Sequence, residues 1–173
     1  MKRFPFLLLD AGPIIKLFEL GVWDHFIKRC NVTVTKTVAD EAKYARLEQK
    51  DLHINLEPYA RDGRIKVIEL ELSVVRDFHT RFDPVYKAEI DPGEKETLAF
   101  LNSAKENWIV CSADGVVFRV LGLLGRAEQG ISLQEILNET GLSQKLEWQY
   151  TREFRERYTH LGQRDSIQEK GLL

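Results

Sequence analysis

The run Phe6-Leu7-Leu8-Leu9 stops abruptly at Asp10, and Ala11-Gly12-Pro13 then opens a second apolar segment. An apolar run with no polar alternation, closed by turn residues, reads as a strand buried on both faces, the kind found in parallel sheets. Pro13 suits the first turn of a helix, where its missing N–H would have no partner in any case. A buried strand leading straight into a helix commits the chain to an α/β fold. It also places Asp10 at the carboxyl end of a central strand, the edge where open α/β sheets bind ligands. A carboxylate in that position either binds a cation or caps the helix that follows.

The same arrangement recurs along the chain. Asp114 follows the strand-like run Trp108-Ile109-Val110-Cys111-Ser112 and precedes Gly115 and an apolar helix over 116–124. Glu41 lies in Thr37-Val38-Ala39-Asp40-Glu41, just after a strand over 32–35, with Thr37 placed to cap the helix. Glu94 and Glu96 lie in Asp91-Pro92-Gly93-Glu94-Lys95-Glu96, ahead of a helix over 97–104. Any one of these acids is explained by the helix macrodipole, which favours negative charge in the first turn. Asp10 is the least easily explained, because an acid after four apolar residues is costly to bury unpaired. Acids at four such junctions of one α/β chain point to convergence. Converging carboxylates repel one another and require a cation. A donor set of oxygens alone selects a hard divalent ion, magnesium or manganese.

The order Asp10, Glu41, Glu96, Asp114 resembles the PIN domain, the fold of many metal-dependent ribonucleases, including the toxins of toxin–antitoxin pairs. Leu-Leu-Leu-Asp-Ala-Gly-Pro-Ile-Ile-Lys-Leu is similar to that family's first motif, and Thr-Val-Ala-Asp-Glu to its second. Pro-Gly-Glu-Lys-Glu-Thr-Leu-Ala-Phe-Leu resembles the Gly-Glu-x-Glu-Ala helix start of one branch. Ile-Val-Cys-Ser-Ala-Asp resembles the final strand. The resemblance covers roughly residues 4 to 131. It implies a three-layer α/β sandwich, a central, mainly parallel sheet flanked by helices. It further implies catalytic Asp10, Glu41, Glu96 and Asp114, with Mg2+ or Mn2+ held by these four and Glu94. Spacing to Asp114 favours Glu96 over Glu94 as the third acid. Lys16, Ser112 and Arg119 are the expected contacts to an RNA substrate, although Ser112 also reads as the mere end of its strand. An antitoxin protein and a second copy of the chain are the further expected partners.

Departures from the family pattern are specific. Gly115 stands where many relatives carry another acid. The stretch 45–91 is longer than in compact toxins, and nothing beyond Ser132 matches a motif. The expected organisation is therefore a nuclease domain over 1–131, with an inserted stretch at 45–91, and a helical extension over 132–173. A rival reading keeps the fold and loses the activity, leaving a PIN-like module that binds RNA or a partner protein. A phosphatase of the haloacid dehalogenase type is disfavoured, because it needs a second Asp two residues after the first, where Gly12 and Pro13 leave none.

With 173 residues the chain is long enough for a real core. The net charge of −2 argues against a general nucleic-acid binder but not against a nuclease, whose acid cluster lowers the sum locally. Cys30 and Cys111 sit in or beside apolar strands and read as reduced core residues. With no run long enough to span a membrane, and Met-Lys-Arg-Phe-Pro too soon broken for a signal peptide, a cytoplasmic location is expected. The four histidines show no ligand spacing, which leaves out zinc.

The remaining pattern predicts two short helices over 14–20 and 22–29, split by Gly21, and a helix over 37–49. A helical turn over 56–62, a strand over 64–70 and a helix over 73–82 follow. Loops are expected around Asp83-Pro84 and Asp91-Pro92, and a short edge strand over 128–131. Ser132-Leu133-Gln134-Glu135 reads as a capping box that starts a helix. A last amphipathic helix is expected over 144–160, with a frayed polar tail after Gly162. In that helix Trp148, Tyr150, Phe154, Arg157 and Tyr158 interleave with Glu147, Glu153 and Glu156. This is the pattern of a solvated helix with an apolar face, and only secondarily of a nucleic-acid contact.

Overall fold

The computed structural model describes residues 4–44 and 53–173. Five strands, β1 (Phe4–Leu9), β2 (Cys30–Thr35), β3 (Lys66–Ile68), β4 (Ile109–Cys111) and β5 (Gly130–Ile131), form one sheet in the order β3-β2-β1-β4-β5. Every pairing is parallel. Ten helices among the described residues complete the chain: α1 (Ala11–Glu19), α2 (Trp23–Arg29), α3 (Lys36–Tyr44), α4 (Glu57–Arg61), α5 (Leu72–Thr80), α6 (Pro84–Glu89), α7 (Pro92–Ser103), α8 (Gly115–Leu123), α9 (Leu133–Glu139) and α10 (Arg152–Ile167). The architecture is the three-layer sandwich expected.

Strand alternation explains the layers. Leu7 and Leu9 point to one face with Val32, Val34 and Cys111, and pack there against α1, α2, α3 and α9. Leu8 and Val110 point to the other face, against α5, α6, α7, α8 and α10. Leu7, Leu8 and Leu9 are all fully buried, which contributes roughly 1.5–3 kcal/mol for each side chain. The unbroken apolar run thus satisfies two cores at once.

Gly21, at φ +68°, turns the chain between α1 and α2, a conformation that favours glycine. Thr37 does not cap α3; the Thr35 hydroxyl accepts from the Val38 N–H instead, because the helix begins one residue earlier than expected. The part of the expected third helix at 45–49 lies outside the described residues. The strand expected over 64–70 is the short edge strand β3.

Two expected loops are helices. Asp83 and Asp91 each accept a backbone N–H three residues on, from Tyr86 at 3.0 Å and from Glu94 at 2.8 Å. Each is followed by a proline in the first turn. Asp-Pro is therefore a helix start here rather than a break, and α7 begins at Pro92 rather than at Thr97. The Ser132–Glu135 capping box is present as expected.

The C-terminal region departs furthest from the sequence reading. No helix begins at Gln144. The chain instead reaches α10 through a short turn at Trp148–Tyr150, and Thr151 caps the helix by accepting from the Phe154 N–H. The helix then runs through Gly162 and on to Ile167, so the tail is ordered and not frayed. Gly162 has no Cβ to strike the Arg119 carbonyl of α8, and Gly122 of α8 stands equally close to the Thr159 carbonyl of α10. This reciprocal contact lets the two helices touch backbone to backbone. Beyond α10 the chain folds back on the α5–α6 corner: Asp83 N–H donates to the Gly171 carbonyl at 2.8 Å, and Leu173 N–H to the Arg81 carbonyl at 2.9 Å. Phe154 belongs to one core and Leu133, Ile136 and Leu137 to the other, so residues 132–173 share the cores of the preceding chain. Among the described residues no helix is long and apolar enough to cross a membrane.

Candidate active site

Strand order reverses at β1, which has β2 on one side and β4 on the other. Crevices open at the carboxyl ends of strands at such a switch point. Leu9 pairs with Cys111, and the Asp10 N–H donates to the Cys111 carbonyl at 3.0 Å. The residues that end the two strands are therefore side by side. The Ser112 hydroxyl donates to Asp10 Oδ2 at 2.7 Å and accepts from the Asp114 N–H at 3.0 Å. Ser112 thus fixes both acids of the pair, a role its sequence position left open. Gly12 lets the two strand-to-helix turns close together, since a Cβ there would lie 3.2 Å from the Ala113 Cβ.

The other acids come from helices packed over the same edge. Glu94 closes a capping box at the start of α7, with Oε2 accepting from the Asp91 N–H at 3.0 Å. The residue is only 2 % exposed. Glu41 reaches α7 from α3, and its Oε1 accepts from the Gly93 N–H at 3.1 Å. A Cβ on Gly93 would sit 2.8 Å from the carboxylate carbon of Glu41, so the glycine both binds Glu41 and makes room for it.

The charges of these groups act on one another. Burial pushes the Asp10 carboxyl up to about 6, against the pull of its Ser112 and Ala11 hydrogen bonds, and the charges of Asp91 and Asp114 push the same way. Burial raises Glu41 to about 7, helped by Asp91, Asp10 and Glu96. Glu94 is raised furthest, by burial first and then by Asp114, Asp10 and Asp91. Among the described residues no arginine forms an ion pair with any of these acids. The donor set is all oxygen and short of positive charge, which fits a hard divalent cation. The acids lie within electrostatic reach of one another, but no three among the described residues are gathered as closely as a formed metal site would hold them.

Glu96 stands apart from Glu94. Its Oε2 accepts from the Thr37 N–H at 3.1 Å and its Oε1 from the Leu70 N–H at 3.0 Å. It is a strut joining the first turn of α3 to the chain after β3, with one backbone donor on each oxygen. The geometry therefore favours Glu94 as the third acid, the reverse of the choice made from spacing to Asp114. A helix starting at Pro92 puts Glu94 beside the strand ends and turns Glu96 toward α3. Asp91, not singled out by the sequence, contributes negative charge to the same pocket through its position as the cap of α7. A paired substitution separates the two glutamates. Glu94→Gln is expected to abolish stabilisation by Mg2+ or Mn2+ in thermal unfolding. Glu96→Gln leaves one backbone N–H without an acceptor, so it lowers stability by about 1–3 kcal/mol while the ion-dependent shift persists.

The two basic residues expected at the substrate are engaged elsewhere. Lys16 is nearly buried, and its Nζ reaches Glu147 at 2.5 Å and Glu19 at 3.3 Å. Arg119 donates through Nε and Nη2 to Asp165 at 2.8 and 2.7 Å, and its guanidinium lies 4.7 Å from the Tyr86 ring centre. Tyr86 in turn donates its hydroxyl to Asp165 at 2.7 Å. Both cations tie the C-terminal region to the body of the fold, Lys16 at α1 and Arg119 at α8. Glu147 and Asp165 gave no sign of this in the sequence, because each lies far from its partner along the chain.

No protein-family model matches this chain, and no curated protein matches it.

Proposed function

We propose that the chain is a metal-dependent nuclease that hydrolyses RNA phosphodiester bonds. The observation that carries this reading is the meeting of Asp10, Glu41, Glu94 and Asp114, from four separate segments, at the β1–β4 switch point, with Asp10 and Glu94 buried and none of the four in an ion pair with a described arginine. Asp10, Glu94 and Asp114 would hold the ion, with Glu41 beside them. A bound Mg2+ or Mn2+ would polarise the phosphoryl group and lower the pKa of an attacking water. Glu41, held through Oε1 by Gly93, would take the proton of that water on Oε2. Ser112 keeps the Asp10 carboxylate turned into the pocket, and the buried cores behind β1 and β4 exclude solvent from one side. A protein partner that shields the acids, and self-association, belong to the same proposal.

One observation favours the rival, a binding module without activity: the acids are not gathered tightly around one point. Thermal unfolding across pH separates the two. Asp10 and Glu41 have folded pKa values raised from 3.8 to about 6 and from 4.5 to about 7. Raised carboxylates contribute stability that is fully present below the unfolded values and is lost as pH rises through the folded ones. The metal-free protein is thus expected to lose stability from this pocket between about pH 4 and pH 7. Magnesium or manganese should restore it, with a larger upward shift of Tm at pH 8 than at pH 5, where protons compete for the oxygens. Metal-dependent cleavage of single-stranded RNA should accompany the shift. An equal or absent shift at both pH values, with no cleavage, would favour the module.

A further inference from the structure

An aromatic path leads outward from the acid pocket. The Tyr158 ring of α10 lies against Gly115, the residue next to Asp114, where a Cβ would come within 2.7 Å of Tyr158 Cζ. The absence of a side chain at Gly115 is what admits the ring. Tyr158 packs on Phe154 at 4.6 Å between ring centres, and Phe154 meets Trp148 edge-on at 4.9 Å and 89°. Trp148 ends the path at the surface with 44 % of its area exposed. The Arg157 guanidinium lies 5.6 Å from the Trp148 ring centre, and no carboxylate among the described residues pairs with it. Trp23 and Trp108 are buried, and exposed Phe6 lies in β1 well before Asp10, away from the acid edge.

We propose that Trp148 and Arg157 bind an unpaired nucleobase and its adjoining phosphate, so that the nuclease takes single-stranded rather than duplex RNA. The proposal rests on the nuclease reading for the pocket beside it. Every base has a flat face that stacks on an indole, whereas a duplex keeps its bases inside. A cation spread over the same ring adds attraction for the base and neutralises the phosphate next to it. An acidic pocket alone repels RNA, so an approach surface carrying uncompensated positive charge is what such a pocket lacks. A protein partner is the less economical occupant, since among the described residues Trp148 is the one exposed large aromatic on this edge.

The test uses the full chain carrying Asp10→Asn, titrated in Mg2+ with single-stranded oligouridylate and with an RNA duplex of equal length, while indole fluorescence is read. Single strand is expected to quench the indole and duplex to leave it nearly unchanged. Adding Trp148→Ala should weaken single-strand binding about 5- to 100-fold. Trp148→Phe should retain most of it, and Arg157→Gln should flatten its salt dependence. Equal binding by the Trp148→Ala chain, or equal quenching by duplex, overturns the proposal. Single-strand binding through Trp148 in a chain whose Asp10-intact form cleaves no RNA would overturn the nuclease reading and leave this one standing. Metal-dependent cleavage that is indifferent to Trp148 and to strandedness would do the opposite.

Discussion

Asp10→Asn is expected to reduce metal-dependent RNA cleavage by at least about a hundredfold, more than the 10–100-fold that loss of an outer-shell partner costs a metal site. The same substitution should make the metal-free protein more stable at pH 8. Asparagine keeps the shape of the side chain and can still accept from the Ala11 N–H, which Asp10 Oδ1 does at 2.9 Å. It cannot ionise. Ionising Asp10 at a folded pKa of about 6 instead of 3.8 costs the native state on the order of 2–3 kcal/mol above pH 7, less what the weaker Ser112 bond gives back. A gain in stability together with loss of activity is the signature of a charge held in place for function. Parallel thermal melts at pH 3.5, 5 and 8, with cleavage assays at pH 8, check it: the gain should be full at pH 8, roughly half as large at pH 5 and nearly gone below about pH 4. A variant that is inactive because it is unfolded would show the reverse.

The largest structural effect is expected at Gly162. A methyl group there would overlap the Arg119 carbonyl, a backbone atom that cannot swing away. Alanine gains up to about 1 kcal/mol of helix propensity over glycine, yet overpacking of this kind costs about 1–3 kcal/mol and occasionally more. Gly162→Ala should therefore be destabilising on balance, where the same change on an exposed helix would stabilise. Gly162→Leu should lift α10 from α8 altogether, breaking the Arg119–Asp165 pair and exposing Phe154. A melt of each variant decides it, with Tm falling by about 2–4 °C per kcal/mol for a chain of this size. Unchanged melting of Gly162→Leu would mean that the helix contact is dispensable.

The central half of this fold was legible because its signals are local. Four apolar residues, an acid and a Gly-Pro turn specify a buried strand, its end and the next helix within a few positions. The same holds for Ile109 to Gly115 and for the capping box at Ser132. Asp-Pro misled in two places, since the restriction a proline puts on the residue before it suits a helix cap as well as it suits a loop. Spacing to Asp114 favoured Glu96 over Glu94, but spacing along the chain does not show which way a side chain turns: a helix that starts at Pro92 puts Glu94 in the capping box and gives Glu96 two backbone donors of its own. Lys16, Arg119, Glu147 and Asp165 were opaque for another reason. Their pairings join residues far apart in the chain, and a charged residue carries no local mark of which distant partner it meets. The ordered tail was hidden in the same way, because Gly162 reads as a helix terminator until the carbonyl opposite it is seen.

The pairing of β1 with β4 bears on how the molecule comes to be folded. Leu9 and Cys111 are neighbours in the sheet but far apart in sequence, so the loop joining them must close before either strand gains its partner. Parallel pairings of such long range make for slow folding. Until they form, Leu7, Leu8 and Leu9 present a sticky open edge, prone to association with other chains. The step that buries this edge is also the one that forces Asp10 against its fellow acids. Renaturation at mildly acidic pH, with those groups protonated, removes the repulsion from that step.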